Sequence, residues 1–212
     1  MAENREGGRA VRPKDAATLI IVQRDKKHPL VLMGQRHADH KFMPNKFVFP
    51  GGRVDPADGR LKLESNLAPH VERRLTHDGR TSLLRARALA LAAIRETFEE
   101  TGLVVGNRTE SQPKTRAKTW SEYFAKGVVP DLSALDLVAR AITPPYRNRR
   151  FDARFFMIDA GNVHNDTNDD LAGSGELLDL RWVSLKEAQK LDLPNITRRV
   201  LGDIEVRASV SV

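Results

Sequence analysis

The sequence predicts an α+β protein, arranged as an α/β/α sandwich in which a mixed central sheet lies between helices. Three observations lead to this fold class. Two short apolar runs near the N-terminus flank a polar turn, a pattern typical of a β-hairpin. A strand, a loop and a long helix follow in the middle of the chain. Strand–helix units then close the chain.

The remaining elements are predicted in chain order. Residues 1–15 are polar and basic, so we expect a flexible tail, and residues 16–212 are expected to form a single domain. Ser184 and Glu187 make a capping box that opens a short helix, and 195–206 reads as the final helix. Six segments have the apolar composition of strands: 17–23, 30–36, 103–105, 135–143, 151–158 and 178–183.

A long helix is predicted in the middle of the chain. Thr81 and Ser82 are good N-cap residues, and an Ala- and Leu-rich stretch follows them. Gly102 stands where a residue in the left-handed conformation would end the helix. We therefore expect the helix to run from about Ser82 to Glu100.

Three acidic residues share one face at the end of this helix. Glu96, Glu99 and Glu100 stand at positions i, i+3 and i+4, where side chains are neighbours. Like charges at this spacing repel by roughly 0.2–0.5 kcal/mol a pair, and Arg95 cannot neutralise all three. A divalent cation could, and clustered oxygen ligands suit Mg²⁺ or Mn²⁺. A solvated acidic helix end is the alternative interpretation of the same residues.

A second segment lies upstream, Phe47-Val48-Phe49-Pro50-Gly51-Gly52, a short apolar run that ends in proline and two glycines. Together with the helix end it resembles the signature of the Nudix hydrolase family, G-x5-E-x7-R-E-U-x-E-E-x-G-U, where U is a bulky aliphatic residue. Seven positions of this sequence match the signature: Gly52, Arg95, Glu96, Glu99, Glu100, Gly102 and Leu103. The resemblance implies the Nudix-type α/β/α sandwich with its mixed sheet.

The sequence departs from this signature in three places. Thr97 replaces an aliphatic residue, and Asp58 stands where the first glutamate is usual. Residues 59–94, 36 in number, separate Asp58 from Arg95 where the signature has seven, so 29 residues are inserted. A surface insertion costs little closure entropy, because this cost grows only with the logarithm of length. We expect the inserted segment, at about 59–80, to contain a short helix and loops that cap one side of the site.

The resemblance implies Mg²⁺- or Mn²⁺-dependent hydrolysis of a nucleoside diphosphate linked to another moiety. It implies that Arg95 orients the glutamates and that the Gly51 carbonyl joins them as a metal ligand. In several Nudix subfamilies the general base comes from a late loop, which points here to Glu176, with three aspartates as competitors: Asp166, Asp169 and Asp170. The implied catalytic residues are Glu99, Glu96, Arg95 and Glu176. The implied metal ligands are Glu96, Glu99, Glu100 and Gly51.

Arginines are the candidate substrate-binding residues, because a guanidinium group binds phosphate through two hydrogen bonds. We assign this role to Arg36, Arg150 and Arg154. The alternative for the late arginines is a surface cluster paired to Asp152 and its neighbours. The region around Arg36 is similar to a Nudix branch that includes acyl-CoA and CoA diphosphatases with long insertions. Candidate substrates are therefore CoA-type, nucleotide-sugar and ADP-ribose-like diphosphates.

Two other functions fit the same signature. One is a nucleotide-sensing Nudix module without hydrolysis, although a sensor has no need for three mutually repelling carboxylates. The other is an RNA-end pyrophosphohydrolase, which the net charge of +7 would suit. Basic patches interleaved with aromatic residues, which RNA binding favours, are not evident in the sequence. We therefore expect a small-molecule diphosphate as partner rather than nucleic acid.

Composition limits the remaining possibilities. The 212 residues include no cysteine, which excludes disulfides, thiolate catalysis and zinc sites built on cysteine. No apolar run approaches the length of a membrane span, and the N-terminus lacks a signal-peptide core. From these features we expect a cytoplasmic protein that has no membrane partner, and we leave a homodimer open as its oligomeric state.

Overall fold

A computed structural model describes residues 11–24, 28–39, 43–165, 171 and 175–210, with side chains as far as Arg207. The strands are β1 Lys14–Gln23, β2 Leu30–Arg36, β3 Phe47–Val48, β4 Gly51–Arg53, β5 Asn107–Arg108, β6 Val128–Val129, β7 Asp136–Ile142, β8 Phe151–Asp159 and β9 Leu177–Ser184. The α-helices are α1 Pro56–Arg60, α2 Pro69–Thr76, α3 Leu83–Thr101, α4 Lys118–Phe124, α5 Leu185–Ala188 and α6 Asn195–Val210.

The central sheet is mixed, as expected. Its strands follow the order β3-β2-β1-β8-β7, with β4 paired to β1 and β9 paired to β2. Strand β8 runs parallel to β1, and the other pairs in this sheet are antiparallel. Strands β5 and β6 form a separate two-stranded sheet. The predicted N-terminal hairpin is present as the antiparallel pair β1 and β2.

Helices cover both faces of the sheet. Alternate residues of the central strands point to opposite sides, and buried apolar residues occur on both. On β1, Leu19 and Ile21 belong to a core shared with α3, whereas Ile20 and Val22 belong to a second core shared with α6. Strand β8 alternates in the same way. This arrangement confirms the predicted α/β/α sandwich.

The long helix α3 has the predicted ends. The Ser82 side chain caps its N-terminus by accepting a hydrogen bond from the Arg85 amide, and Gly102 ends it with φ of 75°. Alanines of its middle turns, including Ala90 and Ala93, are fully buried, which lets the helix backbone approach the sheet closely. The acidic end of α3 is thereby fixed against the sheet.

The inserted segment packs along the side of α3. Four of its apolar residues join the α3 core: Leu61, Leu67, Val71 and Leu75. Arg87 of α3 holds the segment as well, because its guanidinium donates hydrogen bonds to the carbonyls of Leu63 and Ser65. The segment thus buries enough apolar surface to become part of the core, and its role as a cap on one side of the site stays a prediction.

Several boundaries differ from the sequence predictions. Strand β1 begins at Lys14, so two residues of the expected tail pair with the sheet, while residues 1–10 lie outside the described part. The strand predicted at 103–105 is absent, and only Val105 forms an isolated bridge, to Val163. No described helix is long and apolar enough to cross a membrane.

Candidate active site

The three glutamates predicted from the sequence lie on the last two turns of α3, and two of them face the strand β4. Glu100 Oε2 accepts a hydrogen bond of 2.8 Å from the Gly51 amide. The Glu96 carboxylate lies directly over Gly52, so that a Cβ atom at Gly52 would come within 2.3–2.6 Å of its atoms. The two glycines therefore form a flat backbone surface against which these carboxylates rest.

Arg95 connects two of the glutamates. Its Nη1 donates to Glu96 Oε1 at 3.0 Å and to Glu99 Oε2 at 2.7 Å. Its Nη2 donates to the Arg53 carbonyl and to Asp58 Oδ2, and its Nε donates to Asp58 Oδ1. All five N–H groups of this guanidinium are thus engaged. This geometry is what an orienting residue requires, and it leaves Arg95 no donor for a substrate.

Asp58 holds the Arg95 side chain in place. Its side chain is fully buried and pairs bidentately with the Arg95 guanidinium, at 2.9 and 3.1 Å. The Trp120 indole N–H donates to Oδ1 at 3.0 Å, and the Asp55 amide donates to Oδ2 at 2.8 Å. Each oxygen therefore accepts two hydrogen bonds, which satisfies a buried carboxylate. The aspartate that replaces the first glutamate of the signature is a structural partner of Arg95.

Burial disfavours the ionised form of two carboxyl groups on the acidic face, those of Glu96 and Glu100. Burial raises the pKa of Glu96 to about 7, against the opposing charge of Arg95. Burial also raises the pKa of Glu100 to about 8, although the hydrogen bond from the Gly51 amide lowers it. Removing a carboxylate from water disfavours the charged form unless a cation compensates.

The donor set of this face fits a hard divalent cation, because it consists of carboxylate oxygens on adjacent turns. Arg95 holds Glu96 and Glu99, whereas the Gly51 amide holds Glu100. The described residues contain no group of three or more His, Asp or Glu side chains already gathered around one point. Glu96, Glu99 and Glu100 are the side chains that could hold such a cation.

Arg36 and Glu176 lie beside the acidic face. Burial lowers the pKa of Arg36, and the charges of Glu100, Glu176 and Glu96 oppose this shift. The carbonyl of Glu176 accepts a hydrogen bond of 3.2 Å from the His37 amide. This bond joins the two chain segments that carry Arg36 and Glu176. The structure thus brings these two predicted residues to the glutamates. The competing aspartates, Asp166, Asp169 and Asp170, lie outside the described residues.

Arg154 does not reach this site. Its side chain is 1% exposed and pairs with Asp152 at 2.6 Å and with Asp15 at 3.9 Å. Arg85 pairs with the same two aspartates and precedes Glu96 by eleven residues of α3, about 16 Å along the helix axis. The substrate-binding role predicted for Arg154 is wrong, because its charge is buried and compensated within this cluster.

Arg150 is also committed elsewhere. Its Nε donates to the Thr143 carbonyl at 2.9 Å, and its Nη1 donates to the Val11 carbonyl at 2.7 Å. These contacts tie the residues that precede β1 to the connection between β7 and β8. The structure therefore assigns Arg150 a role in joining chain segments and does not place it among the glutamates, contrary to the prediction.

The two glycines of β4 should respond differently to the same substitution. In Gly52→Ala the three atoms nearest the new Cβ would all belong to the end of the flexible Glu96 side chain, so we expect a folded protein whose turnover falls roughly 10²-fold. In Gly51→Ala the Cβ would lie 2.5 Å from the Ala17 carbonyl oxygen and 2.6 Å from Thr18 Cα, at φ of 156°. We expect this variant to lose about 3 kcal/mol of unfolding free energy.

Urea titrations with steady-state assays on both variants would check this contrast. Equal loss of stability in the two variants would show that the Glu96 side chain does not lie over Gly52 as described.

The stability of the metal-free protein should depend on pH through Glu96 and Glu100. Unfolded glutamates titrate near 4.3, whereas burial raises the folded pKa values to about 7 and about 8. The folded chain therefore binds these protons more tightly, and their stabilising contribution is lost progressively as pH rises from about 4.3 until the folded pKa values are passed. We expect urea denaturation in EDTA to show a free energy of unfolding that falls between roughly pH 5 and pH 8 and levels off above that range. Glu100→Gln should flatten this slope, and an unchanged slope would contradict the assignment.

Two residues of the site were missed by the sequence analysis. Thr119 Oγ1 donates to Glu99 Oε1 at 2.6 Å, and the neighbouring Trp120 donates to Asp58. Both belong to α4. An indole N–H that is buried needs an acceptor, which is the signal that could have linked Trp120 to an acidic residue.

Proteins similar in sequence include one from Caenorhabditis elegans and one from Xenopus laevis. The nudix hydrolase 7 of Caenorhabditis elegans is 28% identical over 187 residues, which cover 82% of this chain and 52% of the relative. The acyl-coenzyme A diphosphatase NUDT19 of Xenopus laevis is 27% identical over 208 residues, which cover 74% of this chain and 53% of the relative. The chain thus spans about half the length of these curated relatives. No family model matches the chain.

Comparison of structures identifies the fold. The crystal structure of a Nudix hydrolase from Alicyclobacillus acidocaldarius superposes with a TM-score of 0.68 at 24% identity, and covers 93% of this chain and 96% of its own. The agreement extends over nearly all of both chains. Fold and relatives together confirm the resemblance seen in the signature: this chain has the Nudix fold and is similar in sequence to Nudix hydrolases.

Proposed function

We propose that this chain hydrolyses the diphosphate bond of a nucleoside diphosphate linked to another moiety, with Mg²⁺ or Mn²⁺ bound at the end of α3. One observation carries the proposal. Glu96, Glu99 and Glu100 crowd on one helix face although burial disfavours the ionised form of two of them. A bound cation would remove this cost. A protein that binds no cation could replace any of these three glutamates.

The side chains around the glutamates have distinct tasks in this proposal. When bound, the cation neutralises charge on the phosphate oxygens and lowers the pKa of a bound water. Arg95 keeps Glu96 and Glu99 in place, and Asp58 keeps Arg95 in place. Gly51 supports Glu100 through its amide, and we propose its carbonyl as an additional ligand.

Arg36 is the proposed phosphate-binding residue of the site. It is half-buried beside Glu100 and Glu176, where its charge offsets part of the negative potential that would repel a diphosphate. A guanidinium group matches two phosphate oxygens at once. Among the three arginines predicted from the sequence, Arg36 is the one whose electrostatic neighbours are the glutamates.

Glu176 is the proposed general base, so Glu176→Gln should reduce kcat. Glu176 is exposed and follows Gly175, whose φ is 87°. It lies close enough to Glu100 for its charge to raise the pKa of Glu100. Loss of a general base reduces rates by about 10²- to 10⁴-fold. We expect a fall within this range, measured as kcat across pH, with unchanged affinity for Mn²⁺. Activity within a few-fold of wild type would return the role to Glu96 or Glu99.

The Xenopus laevis relative is named an acyl-coenzyme A diphosphatase, which makes CoA and its acyl esters the first substrates to test. Nucleotide sugars, ADP-ribose and dinucleoside polyphosphates contain the same linkage and remain candidates. A cytoplasmic location, a homodimer and a single domain over 16–212 stay predictions. They are independent of the proposed chemistry.

A substrate panel tests the proposal. Each candidate is incubated with the chain and Mg²⁺ or Mn²⁺, and the products are identified by mass. We expect cleavage within the diphosphate to give two phosphate monoesters from at least one substrate, with no cleavage in EDTA. Saturable binding of a nucleotide without cleavage would support the sensing function instead. Cleavage confined to capped or triphosphorylated RNA ends would support the RNA-end function.

A further inference from the structure

Helix α4 is firmly packed beside the end of α3. Trp120, Tyr123 and Phe124 are each at most 1% exposed, and the rings of Tyr123 and Phe98 pack edge to face at 5.2 Å. The Tyr123 hydroxyl also donates to the Val105 carbonyl, just after α3 ends. A helix held in this way can position its first turn accurately, and that turn carries Thr119.

Thr119 completes the support of Glu99. Its hydroxyl donates to Glu99 Oε1 at 2.6 Å, while Arg95 donates to Oε2 at 2.7 Å. Each carboxylate oxygen accepts one hydrogen bond in this way and keeps a lone pair for a cation. The Glu99 side chain is 33% exposed, against 15% for Glu96, so neighbouring atoms restrict it less. Hydrogen bonds from two sides therefore decide where its oxygens lie.

Trp120, the next residue of α4, acts on the Glu99 carboxylate through Asp58 and Arg95. Trp120 donates to Asp58, Asp58 binds Arg95, and Arg95 is the second donor to Glu99. Two consecutive residues of α4 thus reach Glu99, one directly and one through a buried ion pair. The linkage spans three segments that are distant in sequence, and it exists only because α4 packs against α3.

We propose that Thr119 is a positioning residue that holds Glu99 in the orientation needed to bind the divalent cation. The proposal rests on the function proposed above. Side chains that orient a metal ligand typically change metal affinity or activity by roughly 10- to 100-fold when they are removed. Thr119 would therefore affect the cation more than the fold.

The test uses Mn²⁺ alone, titrated by calorimetry into the complete chain without substrate. Thr119→Val removes the hydroxyl at nearly constant shape, and we expect the Kd for Mn²⁺ to rise roughly 10-fold or more. Thr119→Ser keeps the hydroxyl and should bind like wild type. Thr119→Ala should repeat the result of Thr119→Val. Thr76→Val is the matched control, because the Thr76 hydroxyl donates to the Glu72 carbonyl within α2.

Kinetics and thermal unfolding complete the test. In Thr119→Val the Mg²⁺ concentration for half-maximal rate should rise, while kcat at saturating Mg²⁺ changes less and the unfolding temperature stays close to wild type. Equal Mn²⁺ affinity in wild type and Thr119→Val, or failure of Thr119→Ser to restore it, would overturn the proposal for Thr119 alone. Absence of saturable Mn²⁺ binding by the wild-type chain would overturn the proposed function, and this proposal with it.

Discussion

Glu99→Gln is expected to lower turnover by about 10²-fold or more while the protein stays folded. The carboxylate of Glu99 is held by Arg95 and Thr119 and is the most exposed of the three acids on the helix face. The amide has the same shape but lacks the negative charge, so it binds a divalent cation weakly. Metal stabilisation of a phosphoryl transition state contributes several kcal/mol, and each 1.36 kcal/mol corresponds to a tenfold change in rate.

The measurement is kcat at saturating Mg²⁺ on the best substrate of the panel. Glu110→Gln provides the matched control, since Glu110 is exposed and lies outside the site. In urea titrations without metal, the free energy of unfolding of Glu99→Gln should equal or exceed that of wild type, because the substitution removes a charge repulsion. Near-wild-type turnover of Glu99→Gln would show that the metal site lies elsewhere.

Arg95→Met should cause the largest loss of stability among single substitutions at the site. Asp58 has no exposed side-chain surface, and Arg95 supplies two of its four hydrogen bonds. Removing one partner of a buried ion pair leaves an uncompensated charge and typically costs 3–5 kcal/mol. We expect a loss of about this size in urea denaturation. Catalysis should fail as well, because Glu96 and Glu99 lose their shared donor.

Two comparisons isolate the ion pair. Lys118→Met breaks a pair with Glu122 whose side chains are 89% and 56% exposed, and it should cost about 0.5 kcal/mol or less. The double variant Arg95→Met/Asp58→Asn should regain part of the lost stability, because the buried charge of Asp58 is then no longer left unpaired. If Arg95→Met loses no more than Lys118→Met, the buried pair does not stabilise the fold as described.

Local pattern was sufficient to predict the acidic helix end. The helix, its cap residues and the common face of its glutamates depend on spacings within about twenty residues, and periodicity encodes such spacings directly. The same holds for the strand predicted at 151–158, where Phe155 and Phe156 lie on opposite faces of the sheet. The parts of the fold and site that rest on short-range geometry were therefore accessible from the sequence.

Partners across the sheet were not accessible in the same way. Alternation places Arg154 on one face of β8, but it does not reveal that Asp15 of the neighbouring strand and Arg85 of α3 meet there. Those contacts decide whether an arginine is free for phosphate or consumed by a buried pair. The role of Asp58 was hidden for a related reason, because the long insertion separates it from Arg95 in sequence although the fold brings them into contact.

The direct test of the central claim is calorimetric titration of Mn²⁺ into the wild-type chain and Glu96→Gln at pH 7, in two buffers of different ionisation enthalpy. We expect saturable binding by wild type and weaker binding by the variant. We also expect release of roughly one to two protons per bound ion, because burial raises the pKa of Glu96 to about 7 and that of Glu100 to about 8. Absence of saturable binding, or equal affinity in the two proteins, would contradict a cation site on the acidic face of α3.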